Sequence, residues 1–291
     1  MATFILPFEK MHGLGNDFIF IHDKYLPPNV SEADLALKLC DRHFSIGGDG
    51  LIVVKASQSG EGDFAWSYHN ADGSLGEMCG NGIRCFAKYV YERGLTKLTQ
   101  FGVETLAGLI TPSIQPDGQI RVNMGAPILD PSQIPVALPD SPPVPVIDYP
   151  IEVTGRNFNF TPVSMGNPHA VIFLDSRQEW EEINLIELGP PIEKHPFFPK
   201  QVNVEFVYAE KPDHLLFKVW ERGSGITFAC GTGACASVVA AVLKKISPAD
   251  QPVQVSLPGG NLLIEWDQAE NLVCMTGTAT SVFIGQLELE L

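Results

Sequence analysis

Short apolar runs dominate the hydrophobic pattern of this chain, and they predict many β-strands. The runs are rich in β-branched and aromatic residues, are bounded by glycine or polar turns, and lie at 17–21, 51–54, 64–68, 169–174, 202–207, 215–220 and 282–289. Several of them alternate apolar and polar residues with a period of two, which is typical of half-buried strands. We therefore expect a mixed α/β fold of the α+β kind, with few helices.

A few segments have the pattern of helices. Ser31-Glu32-Ala33-Asp34 resembles a capping box and predicts a helix that runs to about Arg42. Residues 234–243 are apolar on nearly every side, as expected of a fully buried helix. Residues 83–91 are less uniformly apolar but have the same kind of pattern. Two buried helices among many strands suggest two units, each a curled sheet around a central helix.

The chain contains an internal repeat. Cys79 and Cys230 stand in near-duplicate settings, each followed by Gly-X-Gly and an apolar run, and positions 79 and 230 differ by 151. The same offset relates Gly15-Asn16 to Gly166-Asn167, Asn70 to Glu221, Leu106 to Leu257, Gly108 to Gly259, and Val122 and Met124 to Val273 and Met275. Solenoid repeats are only about 20 to 50 residues long, so this period indicates a duplicated domain. If a pseudo-twofold axis relates the halves, Cys79 and Cys230 face one shared cleft.

The length of the chain supports two domains. At about 150 residues per domain, the 291 residues divide into domains that we place at 1–128 and 129–278. Between the halves, Pro127 to Pro150 contains eight prolines, which disfavour helix and central strand and mark a linker or an excursion. The alternating C-terminal run has no counterpart after the second half, and we expect 279–291 to complete the first sheet.

Composition narrows the class of protein. Hydrophobic residues make up 45% and charged residues 18% of the chain, as in ordinary globular proteins. The net charge of −15 argues against nucleic acid and anionic membranes as partners, because both require a basic surface. The N-terminus lacks the pattern of a signal peptide, and no apolar stretch approaches the roughly 18 residues of a membrane span. We expect a cytoplasmic protein whose cysteines stay reduced.

The positions of Cys79 and Cys230 make them candidates for chemistry. A thiol at a helix N-terminus lies beside free backbone N–H groups and a partial positive charge, which lower its pKa and also bind a carboxylate. A structural role fits the other cysteines, which are Cys40, Cys85, Cys235 and Cys274. The cysteine spacing disfavours zinc, and the Gly-X-Gly segments lack the other residues of a phosphate-binding loop.

Two thiols on opposite faces of a carbon acid can invert a stereocentre. A thiolate removes a proton from one face while a thiol supplies a proton to the other. Amides at the helix N-termini would stabilise the developing carbanion in a site closed to water. Polar residues at related positions would line the site, namely Asn16, Asn167, His169 and the pair Glu221-Arg222. A turn-forming role for Asn16 and a structural role for His169 are equal alternatives.

The whole chain resembles the diaminopimelate epimerase family. The motifs that carry the resemblance are MHGLGNDF at 11–18, NADGS at 70–74, CGNGIRC at 79–85, GNPH at 166–169, VN at 202–203, ERGSG at 221–225 and CGTG at 230–233. The resemblance implies an isomerase that interconverts L,L- and meso-diaminopimelate in lysine and peptidoglycan precursor synthesis, without a cofactor or a metal. It also implies a homodimer and two similar domains, each a curled, mainly antiparallel sheet around a central helix.

The same resemblance implies residue roles. Cys79 and Cys230 are the implied base and acid, and their roles exchange with the direction of the reaction. The implied substrate-binding residues are Asn16, Asn70, Gly80, Asn81, Asn167, Asn203, Glu221, Arg222, Gly231 and Thr232. His169 and Glu221 are implied to support catalysis. Many relatives have a glutamine that contributes to the substrate side where this chain has Gly50. The resemblance therefore implies no substrate contact for position 50.

Two alternatives stay open. A proline or hydroxyproline racemase-like enzyme resembles this chain in fold and thiol pair, but its substrate lacks a second amino-acid end. The asparagine-rich lining and Glu221-Arg222 therefore favour diaminopimelate. A carboxylate-binding or redox-sensing protein would use Cys79 and Cys230 only as a switch, and its binding would survive Cys79→Ala without any isomerisation.

Overall fold

The computed structural model describes residues 3–290, and the chain forms two compact units. Unit 1 consists of Met1–Val122 together with Gly277–Leu291, and unit 2 consists of Asn123–Thr276. The C-terminal segment thus belongs to the same unit as the N-terminal half. Each unit is built from a large sheet and one long buried helix.

Strands outnumber helices in both units. The strands are β1 (Thr3–Gly13), β2 (Asn16–His22), β3 (Gly50–Ala56), β4 (Phe64–Asn70), β5 (Val103–Thr105), β6 (Gly108–Ile110), β7 (Ser113–Ile114), β8 (Ile120–Asn123), β9 (Tyr149–Val153), β10 (Arg156–Ser164), β11 (Pro168–Phe173), β12 (Asn203–Lys211), β13 (His214–Glu221), β14 (Gly225–Ile226), β15 (Val253–Leu257), β16 (Gly260–Asp267), β17 (Leu272–Gly277) and β18 (Thr280–Glu290). The helices are α1 (Glu32–Leu39), α2 (Gly80–Glu92), α3 (Arg177–Glu182), α4 (Leu185–Glu193) and α5 (Gly231–Leu243). Within residues 3–290, none of the helices is both long and apolar enough to span a membrane.

The sheet of unit 1 has the strand order β18-β1-β2-β3-β4-β5-β6. Neighbouring strands are antiparallel except for β2 with β3 and β4 with β5, which are parallel. β18 pairs with β1 along nearly its whole length, from Thr3 opposite Glu290 to His12 opposite Thr280. The alternating C-terminal run therefore lies in the first sheet, beside the first strand of the chain.

Unit 2 repeats this connectivity. Its strands lie in the order β17-β16-β15-β13-β12-β11-β10-β9, and β14 pairs with β13. Here β11 with β12 and β13 with β15 are the parallel pairs, and they correspond to β2 with β3 and β4 with β5 in unit 1. The predicted fold class is confirmed, because both units are mixed α/β structures with mainly antiparallel sheets.

The long helices α2 and α5 lie at the centre of their units. α5 packs against β10, β11, β12, β13, β15 and β16, and it is fully buried from Ala234 to Ala241. α2 packs against β1, β3, β7 and β18. Both helices begin earlier than their apolar patterns at 83 and 234 suggest, because the glycines after each cysteine already have helical geometry.

α1 begins as predicted but ends early. Ser31 Oγ accepts a hydrogen bond from Asp34 N at 3.2 Å, which is the expected N-cap. The helix ends at Leu39 rather than near Arg42. The carbonyl oxygen of Leu39 accepts from the N–H of Gly47 at 2.9 Å, and this contact turns the chain toward β3.

The proline-rich segment 127–150 packs against unit 2 as an excursion rather than as a free linker. Ile134 is fully buried and Val136 is nearly so, and both join the apolar cluster that contains Phe206 of β12. Helices α3 and α4, which the apolar pattern did not predict, follow this segment along the chain. Leu188 of α4 belongs to the same cluster, so these additions enlarge the core of unit 2.

Candidate active site

Cys79 and Cys230 occupy equivalent places, each as the N-cap residue of the central helix of its unit. Cys79 precedes α2 with an extended backbone (φ −138°, ψ 117°), and Cys230 precedes α5 in the same way (φ −112°, ψ 103°). The N–H groups of the first helical turn, which have no partner within the helix, therefore follow directly on each thiol residue. The prediction of two thiols at two helix N-termini is confirmed.

The second glycine after each cysteine allows the helix to start close to the sheet. A Cβ atom on Gly82 would lie 3.1 Å from Cδ1 of Ile52. A Cβ atom on Gly233 would lie 2.7 Å from Oε1 of Glu205 and 3.2 Å from Sγ of Cys230. A side chain at Gly233 would displace the carboxyl of Glu205, and one at Gly82 would press on Ile52, so glycine allows this close approach.

In unit 1, the thiol of Cys79 belongs to a network of side-chain amides. Cys79 Sγ donates to Asn16 Oδ1 at 3.6 Å, and Asn81 Nδ2 donates to the same oxygen at 3.1 Å. Asn16 Nδ2 donates to Asp49 Oδ2 at 2.8 Å. Because a carboxylate can only accept, Asp49 determines that the oxygen of the Asn16 amide faces the sulfur.

Asp49 belongs to a charged cluster. Arg42 Nη2 donates to Asp49 Oδ1 at 2.8 Å and to Asp17 Oδ1 at 2.6 Å, and Lys10 pairs with Asp17 at 2.7 Å. Burial opposes ionisation of Asp17, but hydrogen bonds from Arg42 and Lys10 outweigh it and lower the pKa of Asp17 well below its usual range. Asp17 therefore stays ionised at neutral pH and anchors Arg42 beside Asp49.

Arg84 orients the start of α2 from the interior of unit 1. Its side chain is 0% exposed, and it donates to Gly80 O at 3.0 Å, to Asn81 Oδ1 at 2.8 Å and to Thr278 O at 3.2 Å. The oxygen of the Asn81 amide is thereby taken up by the guanidinium. The NH₂ group of Asn81 is left to donate to Asn16, which also accepts the hydrogen bond from the Cys79 thiol.

Asn70 lies at the end of β4, where two neighbours fix its amide. Tyr68 Oη donates to Asn70 Oδ1 at 2.7 Å, and Asn70 Nδ2 donates to Ser74 Oγ at 2.9 Å. The Tyr68 ring lies against two glycines, because a Cβ atom would lie 2.7 Å from the ring at Gly50 and 2.3 Å from it at Gly76. Gly50 and Gly76 thus make room for the ring that holds Asn70.

Cys230 is the more buried of the two thiol residues, with 4% of its surface exposed, whereas Cys79 is half-buried. The hydroxyl of Thr232 lies 3.5 Å from the Cys230 sulfur. Burial, followed by the negative charge of Glu221, raises the pKa of Cys230 well above its usual value. The expectation that the helix N-terminus lowers this pKa is wrong for Cys230. Desolvation outweighs the helix, and the residue is a neutral thiol.

A buried acid and base lie beside the start of α5. His169 and Glu205 are both 0% exposed, and His169 Nδ1 lies 2.6 Å from Glu205 Oε1. His169 Nε2 lies 3.0 Å from Oδ1 of Asn167. Burial raises the pKa of Glu205, although the nearby His169 opposes this. Through His169 and Glu205, Asn167 is connected to β12 beside the start of α5.

The other predicted residues of unit 2 lie near the ends of β12 and β13. Thr227 Oγ1 donates to a carboxyl oxygen of Glu221. Asn203 is buried, donates to Pro168 O at 3.0 Å and accepts from Arg222 N at 2.8 Å. The NH₂ group and the oxygen of the Asn203 side chain thus both bind backbone atoms. The side chain of Arg222 is exposed.

Within each unit, the structure brings predicted residues to the start of the central helix. In unit 1 these residues are Asn16, Cys79, Gly80 and Asn81, while Asn70 is held separately by Tyr68 and Ser74. In unit 2 they are Cys230, Gly231, Thr232 and Glu221, and His169 connects Asn167 to Glu205 beside them. Sequence reasoning missed Asp49, Arg84 and Glu205. Arg84 and Glu205 are buried charged residues, and a buried charge requires a partner. Asp49 is exposed and lies in a glycine-rich turn, so it gave no such signal.

Comparison with known proteins identifies a family. A family model described as diaminopimelate epimerase matches residues 8–129 and 161–282. A diaminopimelate epimerase of Desulfitobacterium hafniense is 50% identical over 284 residues and covers 96% of each chain. One of Synechocystis is 46% identical over 284 residues and covers 98% of this chain and 99% of its own. The crystal structure of a hydroxyproline epimerase from Agrobacterium vitis matches with a TM-score of 0.67 at 16% identity, over 98% of this chain and 93% of that one, which shows a shared fold.

Proposed function

The chain belongs to the diaminopimelate epimerase family, and on that premise we propose that it interconverts L,L- and meso-diaminopimelate by proton transfer at the α-carbon. The protein is then an isomerase that acts in lysine and peptidoglycan precursor synthesis. One structural observation carries the proposal, which is the equivalent placement of Cys79 and Cys230 as N-caps of α2 and α5.

The proposed reaction uses the two thiols as base and acid. One cysteine, as thiolate, removes the α-proton and becomes a thiol. The other cysteine, as thiol, delivers a proton to the opposite face of the carbon and becomes a thiolate. One C–H bond breaks and another forms, so the negative charge moves from one sulfur to the other and the total number of protons is unchanged. The reverse reaction uses Cys79 and Cys230 with their roles exchanged.

Negative charge develops at the α-carbon and its carboxylate during the proton transfer, and it must be stabilised. Gly80-Asn81 and Gly231-Thr232 form the first turns of α2 and α5, where free N–H groups and the helix dipole favour an anion. We assign these N–H groups to the carboxylate next to the reacting carbon. Each well-placed donor of this kind contributes about 3 kcal/mol to stabilising a transition state.

Other polar residues are proposed to hold the rest of the substrate, which carries a second, unreacted amino-acid end. The set consists of Asn16, Asn70, Asn167, Asn203, Glu221 and Arg222, with His169 and Glu221 in support of catalysis. Glu221 and the exposed Arg222 offer both signs of charge, which suits a zwitterion. Asn203 is proposed to position its neighbours for the substrate, because its side-chain amide binds the backbone of Pro168 and Arg222.

The surroundings of Cys230 support its role as the resting acid. Burial and the charge of Glu221 raise its pKa, so the residue keeps its proton until substrate arrives. We therefore propose that Cys230 supplies the proton in the first turnover of the resting enzyme. Cys79 removes the α-proton as a thiolate, after its own thiol proton has been released to solvent.

Isotope exchange combined with substitution of each cysteine tests the proposal. The wild-type protein is expected to introduce solvent deuterium at the α-carbon of diaminopimelate while it epimerises it. Cys79→Ala and Cys230→Ala should each reduce epimerisation by roughly a thousandfold or more, since each removes an essential acid or base. Cys274→Ala, which changes a half-buried cysteine of β17, should retain activity. Full turnover by both single variants would refute the two-base scheme, and turnover of proline or hydroxyproline alone would replace the proposed substrate.

We further propose a homodimer that forms along β18. Among the described strands, β18 has one neighbour in its sheet, β1. Ile5, Val282 and Ile284 on these two strands are 52%, 53% and 63% exposed, and an apolar edge strand pairs readily with another copy. Ile284→Lys should yield a monomer in light scattering, whereas Leu106→Lys, at a site that is 62% exposed, should not. A dimer unchanged by Ile284→Lys would reject this interface.

A cytoplasmic location without nucleic-acid or membrane partners is also proposed. All six cysteines are free thiols in the described part of the chain, as expected in a reducing compartment. The net charge of −15 opposes binding to other polyanions. Cell fractionation with an antibody against the protein tests the location, and recovery in the membrane pellet would contradict it.

A further inference from the structure

Glu205 is a buried carboxyl group to which the proposed reaction has given no role. It lies on β12, is 0% exposed, and places Oε1 2.6 Å from Nδ1 of His169. Its other oxygen, Oε2, has no hydrogen-bond partner in residues 3–290. A fully buried carboxyl with an unsatisfied oxygen is costly, so its place beside the start of α5 requires an explanation.

Comparison of the two halves of the repeat shows that unit 2 has a buried acid where unit 1 has an apolar residue. In unit 2, Gly233 approaches Glu205, and in unit 1 the equivalent Gly82 approaches Ile52. The position that corresponds to His169 at the offset of 151 is Phe18. In unit 1, the apolar residues Phe18 and Ile52 therefore suffice to pack beside the start of the central helix. Packing alone does not require the acid and the base that unit 2 has there.

The pair controls the orientation of the Asn167 amide. Oδ1 of Asn167 lies 3.0 Å from Nε2 of His169, and an amide oxygen only accepts hydrogen bonds. Nε2 must therefore carry a proton and donate it. This holds while His169 and Glu205 together keep two protons, whether as imidazolium with carboxylate or as neutral imidazole with carboxylic acid. Burial raises the pKa of Glu205 and Glu221 adds to that effect, which favours retention of the second proton.

Asn16 and Asn167 are related by the repeat but present opposite ends of their amides. The NH₂ group of Asn16 is bound by Asp49, and its oxygen faces Cys79. The oxygen of Asn167 is bound by His169, which leaves the NH₂ group as the end of this amide that can donate. Unit 1 thus presents a hydrogen-bond acceptor at this position, and unit 2 presents a donor.

We propose that Glu205 is a positioning residue that, through His169, turns the side chain of Asn167 so that its NH₂ group is offered to a carboxylate of the substrate. This inference rests on the proposed function, in which Asn167 contacts diaminopimelate. Loss of the second proton from the pair would leave Nε2 as an acceptor. The Asn167 amide would then reverse and direct its oxygen at the carboxylate.

The pH dependence of substrate binding tests this role. In the wild-type protein, KM for diaminopimelate should rise at alkaline pH as the pair loses its second proton. Glu205→Gln can donate its amide to Nδ1 permanently, so His169 keeps Nε2 protonated and the rise should be absent. At alkaline pH, the variant is expected to have a KM roughly tenfold lower than that of the wild type, because a hydrogen bond to a charged group is preserved. Two other titratable groups face the pair, Cys230 and Glu221, and both are present in the wild type and in the variant. Because Glu205 also helps to raise the pKa of Cys230, the comparison is made on KM, which reports substrate binding, rather than on kcat.

Two further measurements keep the inference open to refutation. Glu9→Gln, which changes a buried carboxyl paired with Arg93 in unit 1, should reproduce the wild-type KM profile. If Glu205→Gln does not fold, ¹⁵N NMR of His169 in the wild type decides the question, because Nε2 is expected to carry a proton at neutral pH. An unprotonated Nε2, or identical KM profiles for the wild type and Glu205→Gln, would overturn the role of Glu205. A wild-type protein without diaminopimelate turnover would instead reject the proposed function.

Discussion

Asn16 accepts a hydrogen bond from the thiol of Cys79, with its Oδ1 3.6 Å from the sulfur. Its NH₂ group cannot take that place, because it donates to Asp49 at 2.8 Å. The carboxylate of Asp49 also accepts from the N–H of Asp17 at 3.0 Å and from Arg42 at 2.8 Å. The arrangement of the reactive thiol thus depends on a carboxylate that does not touch it.

Removal of the Asp49 carboxylate should therefore weaken catalysis without removing any thiol. Asp49→Ala is expected to lower kcat/KM by roughly tenfold to a hundredfold, because charge-assisted hydrogen bonds to Asn16 and Arg42 are lost. Asp49→Asn should have a smaller effect, since one amide oxygen can still accept from Asn16. Asp34→Ala, an exposed change on α1, serves as the control. Equal kinetics for Asp49→Ala and the control would show that Asn16 is oriented by other means.

Arg84 is expected to be intolerant of lysine. The guanidinium donates in three directions, to Gly80 O, Asn81 Oδ1 and Thr278 O, and the single ammonium of lysine cannot reproduce that geometry. Arg84→Lys should lower the free energy of unfolding by about 3 kcal/mol in urea denaturation, because buried acceptors are left unpaired. Arg156→Lys changes an exposed ion pair with Glu179, where about 0.5 kcal/mol is expected. Similar losses for the two variants would contradict the role of Arg84.

The ring of Tyr68 predicts a difference between two glycines. A Cβ atom on Gly76 would collide with the Tyr68 ring at 2.3 Å, whereas one on Gly50 would also meet the carbonyl oxygen of His69 at 2.7 Å. Gly76→Ala and Gly50→Ala should each destabilise the protein by about 1 to 3 kcal/mol. In double-mutant cycles, Tyr68→Ala should relieve most of the cost at Gly76 and little of the cost at Gly50. Equal coupling energies for the two glycines would contradict this description of the ring.

Features that depend on local pattern could be predicted from the sequence. The cap at Ser31 and the two N-cap cysteines follow from short motifs, because capping involves residues that are neighbours in the chain. The strand β18 could be assigned by its alternation. Its place in the first sheet was expected from the absence of a counterpart in the second half, and the structure pairs it with β1. The fold class rested on the apolar runs and the family on the short motifs, and both are confirmed.

Features that depend on distant contacts could not be predicted. α1 ends at Leu39 because Gly47 binds its carbonyl oxygen, and no local signal marks that contact. Ile134 is buried by the core of unit 2, although the prolines around it conceal any periodicity. Glu205 offered a signal that was not used, because a carboxylate at the centre of an apolar strand requires a partner on the same face. His169 is that partner, on the neighbouring strand β11.

The neutral state of Cys230 leads to a prediction about its reactivity with pH. Burial raises the pKa of Cys230, and the negative charge of Glu221 raises it further. Since the thiolate is the reactive form, alkylation of Cys230 should become fast only at a pH above the ordinary thiol range. Glu221→Gln removes the charge but retains the volume, so the alkylation profile should move to lower pH. Mass spectrometry of the peptide that contains Cys230, in a Cys79→Ala background, measures the profile. Glu181→Gln on the exposed face of α3 should leave the profile in place, and an unmoved profile for Glu221→Gln would contradict the contribution of Glu221.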